Sequence, residues 1–172
     1  MRGTPELEPL AAFRSLPRFE IIEPAEIPVP YRVLLAHDRD MTSTLENHHG
    51  GKIVLRVLNS KRNGANYQRE VVLVLQESSR VVEYGAIHIS LSAFPKPAQK
   101  LILDGQRPLG AIMEASRIEY TSRPKGYFWI ESDPSMTRVL GLTRGGQLYG
   151  RCNAIYDSAG RVLADIVEIL PP

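Results

Sequence analysis

Residues 37–51, HDRDMTSTLENHHGG, gather three histidines and three acids within thirteen positions. Such residue types can ligate a metal, open a helix, or meet a ligand. His37, Asp38, Asp40, His48 and His49 are usable metal ligands. However, adjacent histidines before a double glycine match no standard ligand spacing, so no metal is expected. The helical signals are better formed. Asp40, Thr42 and Ser43 are N-cap types, Ser43-x-x-Glu46 spells a capping box, and Met41 and Leu45 lie four apart on one helical face. Gly50–Gly51 would end that helix, with His48 and His49 as its solvated end.

Two further charges stand out by their neighbours. Side chains alternate along a strand, so YQREVVLVLQ places Tyr67, Arg69, Val71, Leu73 and Leu75 on one face. The last strand likewise places Ala164, Ile166, Glu168 and Leu170 together, with Glu168 as the lone charge. A buried ion costs several kcal/mol or more unless it is paired or bound. Either each charge reaches water or a neighbour near its strand's end, or both face one small cavity. In the second case arginine would grip a ligand carboxylate and glutamate would meet a proton or hydroxyl at the far end. Periodicity leaves both readings open. His88 alternates with Ala86 and Ser90 and reads as a structural or surface strand residue.

The elements that would position these residues follow from pattern. Prolines at 5, 9, 17, 24, 28 and 30 break the first thirty residues into a segment that crosses the domain surface, with a short helix around Leu10–Leu16. KIVLRVLN reads as a strand with SKRNGAN as its turn, and YQREVVLVLQ and RVVEYGAIHISL as a hairpin around ESSR. A helix is expected near 97–104 and a second from Pro108. Residues 120–137 carry no clear pattern, and QLYGRCNAIY and RVLADIVEIL make a closing hairpin around DSAG. The sum is a single α+β domain, 31–172, with a mainly antiparallel sheet of five to six strands and helices on one side, and residues 1–30 packing on it.

Bulk composition bounds the function. The 172 residues are 43% apolar and 23% charged, with 21 Lys and Arg against 19 Asp and Glu. That profile suits a globular protein and argues against nucleic acid as a partner. The one cysteine, Cys152, suits a reducing cytosol and reads as a partly buried strand residue. No signal-peptide core and no membrane-length apolar run is present, so a cytoplasmic protein without a membrane partner is expected. The oligomeric state is not legible.

Several segments, in order, resemble the chorismate lyase-like family, enzymes that remove pyruvate from chorismate to leave 4-hydroxybenzoate. LLAHDRDMT is similar to its segment of two leucines leading to an acid and Met-Thr, and YQREVVL to its Arg-Glu strand. GAIHIS is similar to its glycine-led strand and RPLG to its Pro-Leu-Gly turn. LYGRCNAIYDSAGRVLADIVEILPP is similar to its closing hairpin. The resemblance spans roughly residues 31–172 and omits the first thirty and the 120–140 region. It implies a cofactor-independent chorismate–pyruvate lyase with a small-molecule substrate. Arg69 would bind the carboxylate together with the amides of Met41 and Leu109, and Glu168 would contact the ring hydroxyl. Arg69 and Glu168 would be catalytic, and Gly85 would join the substrate-binding set. Met41 would then stand at a helix mouth, where free amides and the helix dipole favour an anion. The chain departs from the family at Ala86, where the family carries a second arginine; Arg56, Arg117 or Arg151 would have to substitute. Two alternatives remain. One is a non-enzymatic binding module, because ligand-sensing domains of GntR-type regulators share the fold, although no helix-turn-helix is visible. The other is a diverged lyase on a related cyclic carboxylate.

Overall fold

A computed structural model describes residues 7–172. Pro5 and the start of the N-terminal segment therefore lie outside the described residues.

Seven strands form one antiparallel sheet: β1 (Phe19–Ile22), β2 (Ile53–Asn63), β3 (Asn66–Leu75), β4 (Val81–Ser90), β5 (Tyr120–Glu131), β6 (Gln147–Asp157) and β7 (Val162–Leu170). Their order across the sheet is β1-β5-β6-β7-β4-β3-β2. The fold is α+β as expected. The two additional strands are β1 and β5, neither of which has a clean period-two pattern. β5 carries Pro124 and a register shift between Pro124 and Gly126, which breaks its alternation. The segment SKRNGAN is mostly strand: β2 runs on to Asn63 opposite Asn66, and only Gly64 and Ala65 turn.

Six short helices cover the sheet: α1 (Glu8–Ala11), α2 (Tyr31–Leu35), α3 (Met41–His49), α4 (Lys96–Asp104), α5 (Leu109–Ala115) and α6 (Pro134–Val139). The N-terminal helix is shorter and earlier than the Leu10–Leu16 expectation. Residues of α2 to α5 pack on one face, in two apolar clusters with Leu35, Leu45, Ile102 and Ile112 as fully or almost fully buried members. α1 and α6 pack on the opposite face, where Leu10 and Met136 join Tyr84, Phe128 and Val167. Alternating side chains of β3, β4 and β7 thus feed two cores, one on each side of the sheet.

α3 starts as its sequence suggested, with one change. Asp40 is the N-cap and its carboxylate accepts the Ser43 N–H at 2.8 Å. Glu46 does not close a capping box; it accepts from the Ile53 amide at 3.1 Å and from Lys52 at 3.2 Å, tying α3 to the start of β2. Gly50 ends the helix with φ of 66°, in the left-handed region where a side chain is disfavoured.

Candidate functional site

Between the sheet and the first turns of α3 and α5 lies a cavity of about 70 Å³. β4 is its floor, flanked by β3 and β7. The register places Arg69 of β3 opposite Ile87, Val71 opposite Gly85, and Leu73 opposite Glu83. On the other side Glu168 of β7 stands opposite Gly85 and is itself opposite Arg151 of β6. The five residues singled out from sequence, Met41, Arg69, Gly85, Leu109 and Glu168, all line this cavity.

Gly85 leaves the middle of the floor bare. A Cβ there would sit 2.3 Å from the Val167 carbonyl oxygen, so β7 approaches β4 more closely than any side chain would permit. Ala86, the position of the absent family arginine, packs with Tyr84 and Val167 in the core of the opposite face. Of the arginines that could substitute, Arg56 is exposed and donates to Ser79, and Arg117 is a surface residue beyond α5. Arg151 is the one that reaches the interior.

Arg69 is 1% exposed. It donates to the Ile102 carbonyl at 3.3 Å, its Nε meets no acceptor, and no carboxylate among the described residues forms an ion pair with it. Burial pulls its pKa down while Tyr67 opposes that shift; a guanidinium keeps its charge even so.

Glu168 has the opposite situation. Its carboxylate accepts from Arg151 Nε, both groups being buried. Arg151 also donates to the carbonyls of His37 at 2.8 Å, Arg39 at 3.3 Å and Leu35 at 3.4 Å. Burial lowers the Arg151 pKa, and the Glu168 contact more than offsets it. One ion pair therefore fastens the loop before α3, and with it Met41, to the sheet. The same guanidinium beside His37, after burial, helps lower that imidazole's pKa. His37 is thereby kept as a hydrogen-bonding loop residue, with the Leu34 carbonyl 2.7 Å from its Nε2.

Glu83 was not singled out from sequence. It is buried on β4 and lines the cavity, and its Oε2 has no hydrogen-bond partner. Burial, and then the Glu168 charge, push its pKa well above the carboxylate range; Arg151 pulls the other way and Asp40 adds a smaller upward push. The available signal was its position two residues before Gly85, on the same face of β4.

At the mouth, the Asp40 carboxylate spends its helix-capping bond on Ser43, so the amides of Met41 and Thr42 at the start of α3 keep no bond from it. Gly110 lies against Asp40, where a Cβ would come 2.5 Å from its Oδ1. The far wall is Ser122 and Asn153, which bond to each other at 2.8 Å. Among the described residues, no group of three or more His, Cys, Asp or Glu is arranged to hold a metal. No helix among them is long and apolar enough to cross a membrane.

No protein-family model matches this chain, and no curated protein matches it in sequence. Solved structures do match in fold. PhnF from Mycobacterium smegmatis aligns over 78% of this chain and 64% of its own, with 13% identity and a TM-score of 0.60. The effector domain of the same protein aligns over 76% of this chain and 87% of that domain, with 13% identity and a TM-score of 0.57. YydK from Bacillus subtilis, described as a "possible transcriptional regulator", aligns over 69% of this chain and 57% of its own, at 9% identity and a TM-score of 0.53. The chain thus spans less than two thirds of the full PhnF and YydK chains.

These matches correct the expected activity. Among the solved chains similar in fold are an effector domain and a "possible transcriptional regulator", and this finding overturns the expected chorismate–pyruvate lyase activity with pyruvate and 4-hydroxybenzoate as products. The expectation of no nucleic-acid partner also loses its ground, because the matched regulators extend beyond the part this chain covers. What the comparison establishes is the architecture: this chain shares its fold with PhnF and the PhnF effector domain.

Proposed function

We propose that this chain is a non-enzymatic ligand-binding domain that takes a small anion in the cavity between the sheet and helices α3 and α5. The observation that carries the reading is Arg69: a guanidinium 1% exposed, lining this cavity, with no carboxylate among the described residues in an ion pair with it. Burying such a charge without a counter-ion costs several kcal/mol, and a bound anion recovers that cost. A carboxylate suits a guanidinium's fork, and the amide groups at the start of α3 lie on the same wall. Met41, Gly85, Leu109 and Glu168 complete the proposed binding set, with Glu168 acting through its bond to Arg151.

The effector domain of PhnF, similar in fold, supports a regulatory rather than catalytic use. In this reading ligand occupancy, not turnover, is the output. The Arg151 anchor to residues 35–39 gives occupancy a route to the loop before α3. Residues 7–30 are proposed to belong to the same folding unit as 31–172.

Titration calorimetry with acetate, propionate, butyrate and inorganic phosphate tests the reading. Saturable binding of at least one anion, abolished in Arg69→Met while the fold is retained by circular dichroism, is the expected result. Equal binding by the wild type and Arg69→Met would falsify it.

A further inference from the structure

Three buried side-chain atoms in the described residues lack a partner: Arg14 Nε, Arg69 Nε and Glu83 Oε2. Two of them, one donor and one acceptor, line the same cavity. Arg14 belongs elsewhere, bonded to Tyr84 and Asp133 on the other face of the sheet. Unsatisfied buried polar atoms are rare, and two around one hollow indicate what its occupant must bring.

Arg69 stands opposite Ile87, and Ile87 is four residues along β4 from Glu83. At about 3.3 Å per residue, the two groups spring from backbone positions about 13 Å apart along the strands. Between them lie Val71 and the bare floor at Gly85. Both residues line the cavity, from the two ends of this stretch of floor. An occupant must therefore be elongated, with an acceptor at one end and a donor at the other.

We propose that the cavity takes a short, unbranched ω-hydroxy carboxylate of three to four carbons, its carboxylate on Arg69 and its terminal hydroxyl on Glu83. This rests on the small-anion reading above and adds the second end of the ligand. The size follows from the volume: about 70 Å³ holds roughly five water-sized positions at 10–15 Å³ each, which matches five to seven heavy atoms. The hydroxyl follows from hydrogen-bond inventory. An ammonium brings three donors and needs three acceptors, whereas one buried side-chain oxygen among the described residues is unpartnered, and Glu168 Oε2 already serves Arg151. A hydroxyl brings one donor and can also accept from the Glu83 carboxyl when that group is protonated.

Calorimetry with four probes tests this: butyrate, 4-hydroxybutyrate, 2-hydroxybutyrate and 4-aminobutyrate. The expected order has 4-hydroxybutyrate at least about tenfold tighter than butyrate and 2-hydroxybutyrate, since leaving buried Glu83 unpaired carries a penalty of that size. Glu83→Met should erase that preference while butyrate binding persists, and Glu83→Gln, which keeps an acceptor, should retain it. Equal affinity for butyrate and 4-hydroxybutyrate overturns the hydroxy-acid proposal and leaves the anion site standing. Tighter binding of 4-aminobutyrate overturns it in favour of an ammonium. If no probe binds, in the wild type or in any variant, the anion-site reading fails as well.

Discussion

Glu83 and Glu168 face one cavity from adjacent strands, and only Glu168 has a cation. Arg151 donates to Glu168, while Glu83 is left with an oxygen that meets no donor. The groups facing Glu83 are Glu168 from β7, Arg151 from β6 and Asp40 from the cap of α3, two acids and one base. Burial and the neighbouring Glu168 charge shift Glu83 toward its protonated form.

That asymmetry predicts a pH dependence. In the unfolded chain Glu83 ionises near the usual value of about 4.3. In the folded chain burial, and then Glu168, keep it protonated to higher pH. Below that unfolded value both states hold the proton and Glu83 contributes nothing to the pH dependence. As pH rises above it, the unfolded state loses its proton first, so stability falls until the folded Glu83 also ionises. Glu83→Gln removes this group, so its stability relative to wild type should grow with rising pH. Urea unfolding at intervals from pH 4 to 9 measures the difference; a constant offset across that range would contradict the assignment.

Arg151 has two duties, and removing it should disturb both. Arg151→Met leaves the Glu168 carboxylate buried without a cation, which costs about 3–5 kcal/mol. Replacing both partners, Arg151→Met with Glu168→Met, should cost clearly less, because no lone charge remains. The carbonyls of Leu35, His37 and Arg39 lose their donor in either variant. Amide hydrogen exchange of residues 35–41 should therefore quicken in both, and unchanged exchange there would remove Arg151 as the loop's anchor.

Much of this site was legible because strand periodicity is strict. Arg69 and Glu168 each interrupt an apolar face, and the fold turns both faces toward one space. The closing hairpin, the β3–β4 hairpin and the helix after Asp40 were readable for the same reason: uninterrupted alternation or an unambiguous cap. Glu83 shares its face of RVVEYGAIHISL with Gly85 and Ile87, but its place in the second residue pair from the strand's start is also where an exposed strand-end acid would stand. Arg151 was raised as a stand-in for the arginine missing at position 86, but its pairing with Glu168 depends on β6 lying beside β7, a fact of topology and not of local pattern. β5 was hidden by its proline and bulge, and β1 by its four-residue length. The activity was misread because a fold shared by enzymes and sensors leaves the same motifs on both.

Gly85 should tolerate no substitution. In Gly85→Ala the new Cβ meets the Val167 carbonyl oxygen at 2.3 Å, and backbone on both strands must move. The expected loss is about 1–3 kcal/mol, in the range of overpacked cores, together with weaker ligand binding because the floor rises. Gly126→Ala on β5 is the control, since nothing lies within 4 Å of its added Cβ. Denaturation of the pair decides the point: matching stabilities would mean that the close approach of β7 to β4 is not a constraint.

The N-terminal segment gives the last prediction. Leu10 of α1 is fully buried with Tyr84, Met136 and Val167 on the face of the sheet opposite the cavity. Arg14, one turn on, donates to the Tyr84 hydroxyl at 2.9 Å and also bonds the Asp133 carboxylate at the start of α6. Tyr84 in turn donates to Glu70 of β3, so the segment just after this short helix closes a polar chain that joins β3, β4 and the start of α6. If residues 7–30 are one folding unit with the sheet, Leu10→Ala leaves a cavity in the shared core and costs about 2–5 kcal/mol in a single cooperative transition. A biphasic unfolding curve, or a loss confined to the N-terminal amides in hydrogen exchange, would instead make the segment an appendage that docks on a self-sufficient domain.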